Sequence, residues 1–126
     1  VVVDHTGDEV TDTYPVETFD TQLMPGSMDD MLDNETLMDT IIPNMITDAT
    51  EIAEALRAEV ISKGLEQMTR TLDHEIGRLI SLHKKNSHIR PEEIRIAMEE
   101  KATLASLLKN ARIRMDSLQL IRKGDF

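Results

Sequence analysis

The sequence predicts a mainly α-helical chain whose dominant feature is a long antiparallel, coiled-coil-like helical hairpin. Apolar residues recur at steps of three and four from Ile46 to Leu82, with one slip past Gly64, and again from Ile94 to Leu118 without a break. Only the short stretch 86–90 separates these two rows. Aromatic residues make up 2% of the chain, which disfavours a β-sandwich or barrel, whereas aliphatic side chains suit helix interfaces. We therefore expect two long helices that pack side by side in opposite directions.

The N-terminal part predicts shorter elements. An apolar triplet opens the chain and reads as a short β segment, followed by a turn in which Gly7 takes positive φ. Residues 1–15 are therefore expected to form a strand or hairpin, and residues 16–42 to form short helices. Ser27 and Asp30 have the spacing of a capping box, which predicts the start of the second of these helices.

The two long helices are predicted over 44–86 and 91–122. Pro43 either kinks a continuous helix or lies in the first turn of the first long helix, and in both cases residue 42 is expected to be biased away from the helical region. Pro91 suits the first position of the second helix, and the two acidic residues after it suit the positive end of the helix dipole. A heptad row continues through the second helix, with Lys101 as its one polar member.

The apolar stripe of the hairpin is wider than a two-helix seam requires. Met98, Leu107 and Ile113 are among the residues that lie off the main row. Such residues need a cover, which could come from the N-terminal helices, from a missing domain or from a second copy of the chain. Leu107→Asp is therefore expected to destabilise the protein, and Ser106→Asp is not.

Composition restricts the classes of function. A chain of 126 residues corresponds to one domain, 1–126, and it has no cysteine for a disulfide, a thiol nucleophile or a thiolate metal site. No apolar run reaches the roughly 20 residues that a membrane span needs, so no membrane partner is expected. Residues 1–59 contain 15 acidic residues and one basic residue, and residues 60–126 contain 9 acidic and 13 basic residues. This acidic balance argues against DNA as a partner.

The sequence offers no residues for catalysis, for a cofactor or for a metal. It lacks the G-x-x-x-x-G-K-[ST] loop that would hold nucleotide phosphates, and it lacks an H-E-x-x-H zinc motif. The acidic run from Asp29 to Glu35 has neither the glycine nor the final glutamate of a calcium loop. We therefore expect neither enzyme activity nor a cofactor in this chain.

One basic cluster stands out at the predicted tip of the hairpin. It consists of His83, Lys84, Lys85, His88 and Arg90. We call it the tip patch and take it as the candidate contact surface. Basic side chains also suit the negative end of a helix dipole, which is the structural alternative. No aromatic residue lies beside the tip patch to stack on bases, so sequence-specific binding of a nucleic acid is not expected.

Two motifs carry a resemblance to a known family. The resemblance is carried by the turn NSHIRPEEI, by the N-terminal VVVD with Gly7, and by the run Ala111-Arg112-Ile113-Arg114-Met115-Asp116-Ser117-Leu118-Gln119-Leu120-Ile121. The chain resembles the extreme C-terminal domain of the RapA family. In that family a pattern N-P-x-I-R-x-x-E-[IL] joins the last two long helices, and Ser87 stands where the family often has proline. The family consists of bacterial RNA-polymerase-associated ATPases of the Swi/Snf type.

The resemblance implies a function that the residues alone do not. The parent protein would bind core RNA polymerase and use ATP hydrolysis in the bacterial cytoplasm to remodel stalled complexes and recycle the polymerase. This chain would be a C-terminal fragment of it, a non-catalytic module that contacts the polymerase core or the upstream motor domains. The alternative is a free-standing helical adaptor that forms a homodimer through its apolar stripe.

Overall fold

The computed structural model describes residues 1–86 and 88–124. Ser87, Asp125 and Phe126 therefore lie outside the described residues. The helices are α1 (Val16–Gln22), α2 (Asp29–Leu32), α3 (Ile42–Lys85) and α4 (Pro91–Lys109), and a π-helical turn (Leu37–Ile41) leads directly into α3. The described residues group into two compact units, Val1–Leu56 and the residues from Arg57 on. The mainly helical class is confirmed, and the prediction of a single domain cut from a larger protein stays a prediction.

The predicted N-terminal strand is wrong for the described residues, because only an isolated antiparallel bridge joins Val3 and Glu9. A reversal of the chain is nevertheless present, since the Val10 N–H donates to the Val2 carbonyl at 2.9 Å. The return segment does not extend, because Val10 instead accepts backbone hydrogen bonds in a turn over the next four residues. A two-stranded ribbon without a third strand is marginal in water, and this explains its reduction to a single bridge.

Gly7 has φ +90°, as the turn predicted. A Cβ at this position would also meet the carboxylate of Asp48 on α3. Asp4 fixes the same turn from inside, because its side chain accepts hydrogen bonds from the backbone N–H groups of Thr6 and Asp8. The turn is therefore specified both by backbone conformation and by side-chain hydrogen bonds.

The helix predicted from about residue 28 to residue 42 is divided in two. The Ser27 hydroxyl accepts from the Asp29 N–H and not from the residue that a capping box requires, and α2 lasts a single turn. The next helical stretch starts after Asn34, whose side chain accepts from the Leu37 N–H at 3.0 Å. Asn34 is thus the N-terminal cap that the sequence reading missed.

Pro43 lies inside the helix, and the prediction that it would hold Ile42 outside the helical region is wrong. Ile42 has φ −63° and ψ −46°, and its N–H donates to the Leu37 carbonyl, five residues earlier. A proline ring normally clashes with the carbonyl four residues before it, here that of Asp39. The π-helical turn widens the backbone at this point, and this gives the ring room without ending the helix. Ile42 is 8% exposed and is buried in the first unit.

Helix α3 has 44 residues and is therefore about 66 Å long at 1.5 Å per residue. Helices α3 and α4 run antiparallel. Residues later in α3 contact residues earlier in the chain around α4, as two pairs of contacts show. The Lys101 ammonium meets the Asp73 carboxylate, whereas His83, ten residues later, meets the Ile89 carbonyl just before α4. Near the opposite end, Arg57 donates to the Ala111 carbonyl at 2.9 Å.

The seam between the two helices is shielded on α4 by Ile94, Ala97, Lys101, Ala105 and Leu108, all of which are partly buried. The ion pair with Asp73 explains how a lysine occupies the centre of this row. Ile76 is the most shielded residue of α3 within the second unit, at 8% exposed. Gly64 makes no close contact, since a Cβ built there meets nothing within 4 Å.

The predicted second helix is too long, because α4 ends at Lys109 and residues 111–123 form neither helix, turn nor bend. The Asn110 side-chain amide donates to the Ser106 carbonyl, and the Ala111 N–H donates to the Leu108 carbonyl. These bonds satisfy the last turn and end the helix. The heptad row continued past this point only because the apolar residues that follow happen to fit its spacing.

Leu107 of the apolar stripe is 65% exposed on α4. Cover of the stripe by a missing domain or a second copy, and with it the expected difference between Leu107→Asp and Ser106→Asp, stays a prediction. Leu56 and Val60 are exposed as well, and the buried row of α3 passes instead through Ile61.

Candidate functional site

The tip of the hairpin is built by the end of α3, four described linker residues and the start of α4. The Asn86 N–H donates to the Leu82 carbonyl at 2.7 Å and extends the helical pattern by one residue. The Asn86 side chain then accepts from the His88 N–H, and its carbonyl accepts from the Ile89 N–H. Arg90 has φ −76° and ψ 142°, an extended conformation that suits the residue before a proline, and Pro91 starts α4.

His83 holds the tip together and does not point into solvent with the other members of the tip patch. Its Nδ1 lies 2.6 Å from the Ile89 carbonyl oxygen, and the residue is partly buried. The carbonyl can only accept, so Nδ1 carries the proton in this contact. The residue therefore links the last turn of α3 to the linker across the reversal of the chain.

The other members of the tip patch, Lys84, Lys85, His88 and Arg90, are exposed. The structure thus brings together all five predicted residues at one end of the hairpin, four on the surface and one as a structural support. The lysines lie in the last turn of α3, where positive charge also stabilises the helix end.

Pairing distinguishes the tip patch from most of the basic residues elsewhere on α3 and α4. Five basic side chains of α3 and α4 that lie away from the tip form ion pairs with carboxylates: Lys63, Arg70, Arg78, Arg95 and Lys101. Within 1–86 and 88–124, no ion pair involves Lys84, Lys85 or Arg90.

Two of these ion pairs shift the pKa values of their members. A hydrogen bond from Lys63 lowers the pKa of the Glu59 carboxyl below its ordinary value. The bidentate contact between Glu75 and Arg78 lowers the pKa of the glutamate and raises that of the arginine, chiefly through hydrogen bonding. Five cations of the hairpin shaft are therefore engaged by carboxylates, whereas Lys84, Lys85 and Arg90 at the tip are available to an external anion.

A second surface feature was not expected from the sequence. A shallow groove of about 300 Å³ opens on the second unit and is lined by Gly64, Gln67, Met68, Thr71, Leu72 and Leu104. The signal for it was Gly64, whose missing side chain leaves the space open. The groove contains no titratable group, so it supplies no acid, base or nucleophile for chemistry.

Two searches of the described part of the chain bear on other kinds of site. No group of three histidine, aspartate or glutamate side chains there comes together in a way that could hold a metal ion. No helix there has both the length and the apolar character that crossing a membrane demands.

Comparison with known proteins identifies the family. The model of the RapA C-terminal family, described as RNA polymerase recycling family C-terminal, matches residues 1–122. The chain belongs to this family. The resemblance carried by the turn and by the terminal run is thereby confirmed over nearly the whole sequence.

Curated relatives agree with this assignment at low identity. The chain is 24% identical to the RNA polymerase-associated protein RapA of Vibrio cholerae serotype O1 (strain M66-2), 25% to that of Haemophilus influenzae (strain PittEE) and 27% to that of Vibrio campbellii. Each match covers 96% of this chain but only 12 to 13% of the relative. The chain thus spans about an eighth of the length of the curated relatives it matches. No solved structure gives a significant match.

Proposed function

We propose that this chain is a non-catalytic accessory module of a RapA-like, RNA polymerase-associated ATPase, and that it contacts the polymerase through the tip patch. Family membership supports the association with polymerase, because the relatives are named for it. The bacterial cytoplasm, where the polymerase works, would then be the location. Recycling of the polymerase would be the task of the whole protein, to which this module contributes a contact or a regulatory surface.

The observation that carries the assignment to the tip patch is the contrast between paired and unpaired cations. Five basic side chains of α3 and α4 away from the tip are paired with carboxylates, whereas Lys84, Lys85 and Arg90 cluster at the tip and make no ion pair in the described residues. Exposed and unpaired cations at the end of a long rigid arm suit an acidic protein surface. The net charge of −10 disfavours a DNA partner for the module as a whole.

The test is capture of core RNA polymerase by the immobilised chain. The variant Lys84→Glu/Lys85→Glu/Arg90→Glu reverses the tip patch and is expected to lose most of the captured polymerase. All three side chains are exposed, so the helical content of the variant should match that of the parent chain. Circular dichroism checks this directly.

A matched control reverses three cations of the shaft. The variant Lys63→Glu/Arg70→Glu/Arg95→Glu makes the same change in net charge, at exposed positions whose ion pairs stabilise the chain only slightly. It is expected to capture polymerase as the parent chain does. Equal loss in both variants would reduce the effect to net charge, and unchanged capture by the tip variant would overturn the assignment of the tip patch.

The absence of catalysis in this module is a separate part of the proposal. The sequence has no phosphate-binding loop, and the family that it matches is the C-terminal part of RapA. We expect no ATP hydrolysis by the purified chain, with or without double-stranded DNA. Turnover above that of a buffer control would contradict the proposal.

The second candidate function is a helical adaptor that forms a homodimer through the apolar stripe. Leu107 of the stripe is 65% exposed, and Ile96, which was not counted in the stripe but lies three turns earlier on the same face of α4, is 55% exposed. This exposure favours the adaptor, because large apolar side chains on a helix face are usually covered in the functional assembly. A tight dimer whose stability does not change with salt would support the adaptor. Loss of such a dimer in Ile96→Ser/Leu107→Ser would locate its interface.

A further inference from the structure

We call residues 111–119 the terminal segment. Its residues 111–116 alternate as in a β-strand, and Ser117 and Leu118 then reverse the alternation. Apolar Ala111, Ile113 and Met115 alternate with the charged residues between them, so apolar and polar side chains fall on opposite faces of an extended chain. A period of two is typical of a half-buried strand and not of a helix. The pattern begins directly after Asn110, where α4 has ended.

The structure leaves this segment ready for pairing. It contains no helix, turn or bend, none of its residues has positive φ, and all of them are exposed. Met115 is 58% exposed, and in the described residues the backbone groups of 112–119 make no hydrogen bond. Unpaired N–H and C=O groups in an extended run, next to apolar side chains, form a template for another strand.

The charges of the terminal segment determine which partner strand fits. In an antiparallel pair of identical strands, one residue lies opposite itself, and its neighbours lie opposite each other in reverse order. With Met115 on the axis, Arg114 of each copy lies opposite Asp116 of the other. Shifting the axis to Ile113, Arg114 or Asp116 brings like charges face to face.

We propose that the terminal segment pairs antiparallel with the terminal segment of a second copy of this chain, in the register centred on Met115. Two reciprocal pairs between Arg114 and Asp116 then flank the axis, and Ile113 lies opposite Ser117. This interface differs from the tip patch and from the part of the apolar stripe that lies on α4, and it goes beyond the proposed function.

The physics of a two-stranded ribbon sets the character of the dimer. Such a ribbon is marginal by itself in water, so association is weak and depends on protein concentration. The charge pairs that fix its register are exposed and are therefore screened by salt. A weak dimer that dissociates further as salt rises is distinct from the salt-insensitive dimer expected of the apolar stripe.

Sedimentation equilibrium of the full chain at low salt tests the proposal through a charge exchange. Arg114→Asp places two acidic side chains opposite each other on both sides of the axis, and Asp116→Arg places two basic ones there. Each is expected to weaken the dimer about ten-fold or more, because opposite charges are lost and like charges are introduced. The double variant Arg114→Asp/Asp116→Arg restores the opposition of charges and is expected to restore the parent affinity.

A control variant distinguishes this interface from the apolar stripe. Leu107→Ser removes an exposed leucine of α4 and is expected to leave the dimer unchanged. The proposal is overturned by a chain that remains monomeric at all concentrations. It is also overturned by single variants that dimerise like the parent chain, by a double variant that stays as weak as the single ones, or by loss of the dimer in Leu107→Ser.

Discussion

Replacing Ile76 with alanine is expected to destabilise the hairpin clearly, whereas the same replacement at Ile96 is not. Both residues are isoleucines in long helices of the second unit, so the change in chemistry is identical. They differ in environment, because Ile76 is 8% exposed and Ile96 is 55% exposed. The comparison therefore isolates the contribution of burial in the seam.

The magnitudes follow from the buried fraction of each side chain. Isoleucine to alanine removes three carbons, each worth about 0.8 kcal/mol when fully buried, which gives about 2.2 kcal/mol at Ile76 and about 1 kcal/mol at Ile96. The cavity left at Ile76 adds to its loss. Alanine's higher helix propensity offsets up to ~0.5 kcal/mol at both positions. We expect net losses of about 2 and about 0.5 kcal/mol in the free energy of unfolding.

Urea unfolding followed by far-ultraviolet circular dichroism measures both values. The chain has no tryptophan, so helix content is the natural signal. A lower midpoint with an unchanged slope reports a loss of stability, whereas a changed slope would report a different degree of exposure on unfolding. Equal losses for the two variants, or a larger loss at Ile96, would refute the assignment of Ile76 to the seam.

Three further outcomes follow from the described contacts. Gly7→Ala is expected to lower the free energy of unfolding by about 1–2 kcal/mol, because Gly7 has positive φ. Gly26→Ala should change it little, because a Cβ at Gly26 meets no neighbour within 4 Å. Thermal unfolding of the two variants makes the comparison. Hydrogen bonds from Thr6 lower the pKa of Asp4 in the folded chain. The ionised Asp4 carboxylate therefore stabilises the fold above the ordinary aspartate pKa, and this stabilisation is lost as pH falls through the lowered pKa of the folded state. An NMR titration of Thr6→Val should show the pKa of Asp4 rising, and an unmoved pKa would contradict that cause. Lys101→Glu brings two carboxylates together and should lower the urea midpoint, while Lys101→Met should not; equal midpoints would contradict the role of the ion pair.

The sequence predicted the hairpin and its tip well, because each rests on a strong local signal. The repeat in steps of three and four located both long helices, and Pro91 marked the start of the second. Once the helices and the turn were placed, the tip patch followed from chain order alone. The absence of ion pairs at Lys84, Lys85 and Arg90 could not be predicted from the sequence, because the formation of ion pairs depends on side-chain geometry.

The end of α4 was missed although the sequence contained a signal for it. Lys109 followed by Asn110 is a common way to end a helix, but the heptad spacing of later apolar residues outweighed it in the sequence reading. The alternation after Asn110 fits a strand equally well, since residues four apart share a face in both patterns. Only the three-dimensional hydrogen bonding resolves such a run.

The N-terminal errors have a different origin. The strand predicted at the start requires a partner, and a single hairpin does not supply enough pairing to persist. At Pro43 a π-helical turn overrides the general preference of the preceding residue for an extended conformation, and the local sequence carries no signal for such a turn. Both outcomes depend on the surrounding structure and not on the local residues.

The reversal of the chain between α3 and α4 is the claim on which the tip, the seam and the proposed contact all depend. Spin labels on cysteines introduced at Asp73 and Lys101 test it by electron–electron double resonance, and the absence of native cysteines makes the labelling specific. The two residues are 28 apart in sequence, so one continuous helix would separate them by about 42 Å. We predict a separation of less than half that distance, because their side chains form an ion pair across the seam. A distance near that of a continuous helix would contradict the hairpin.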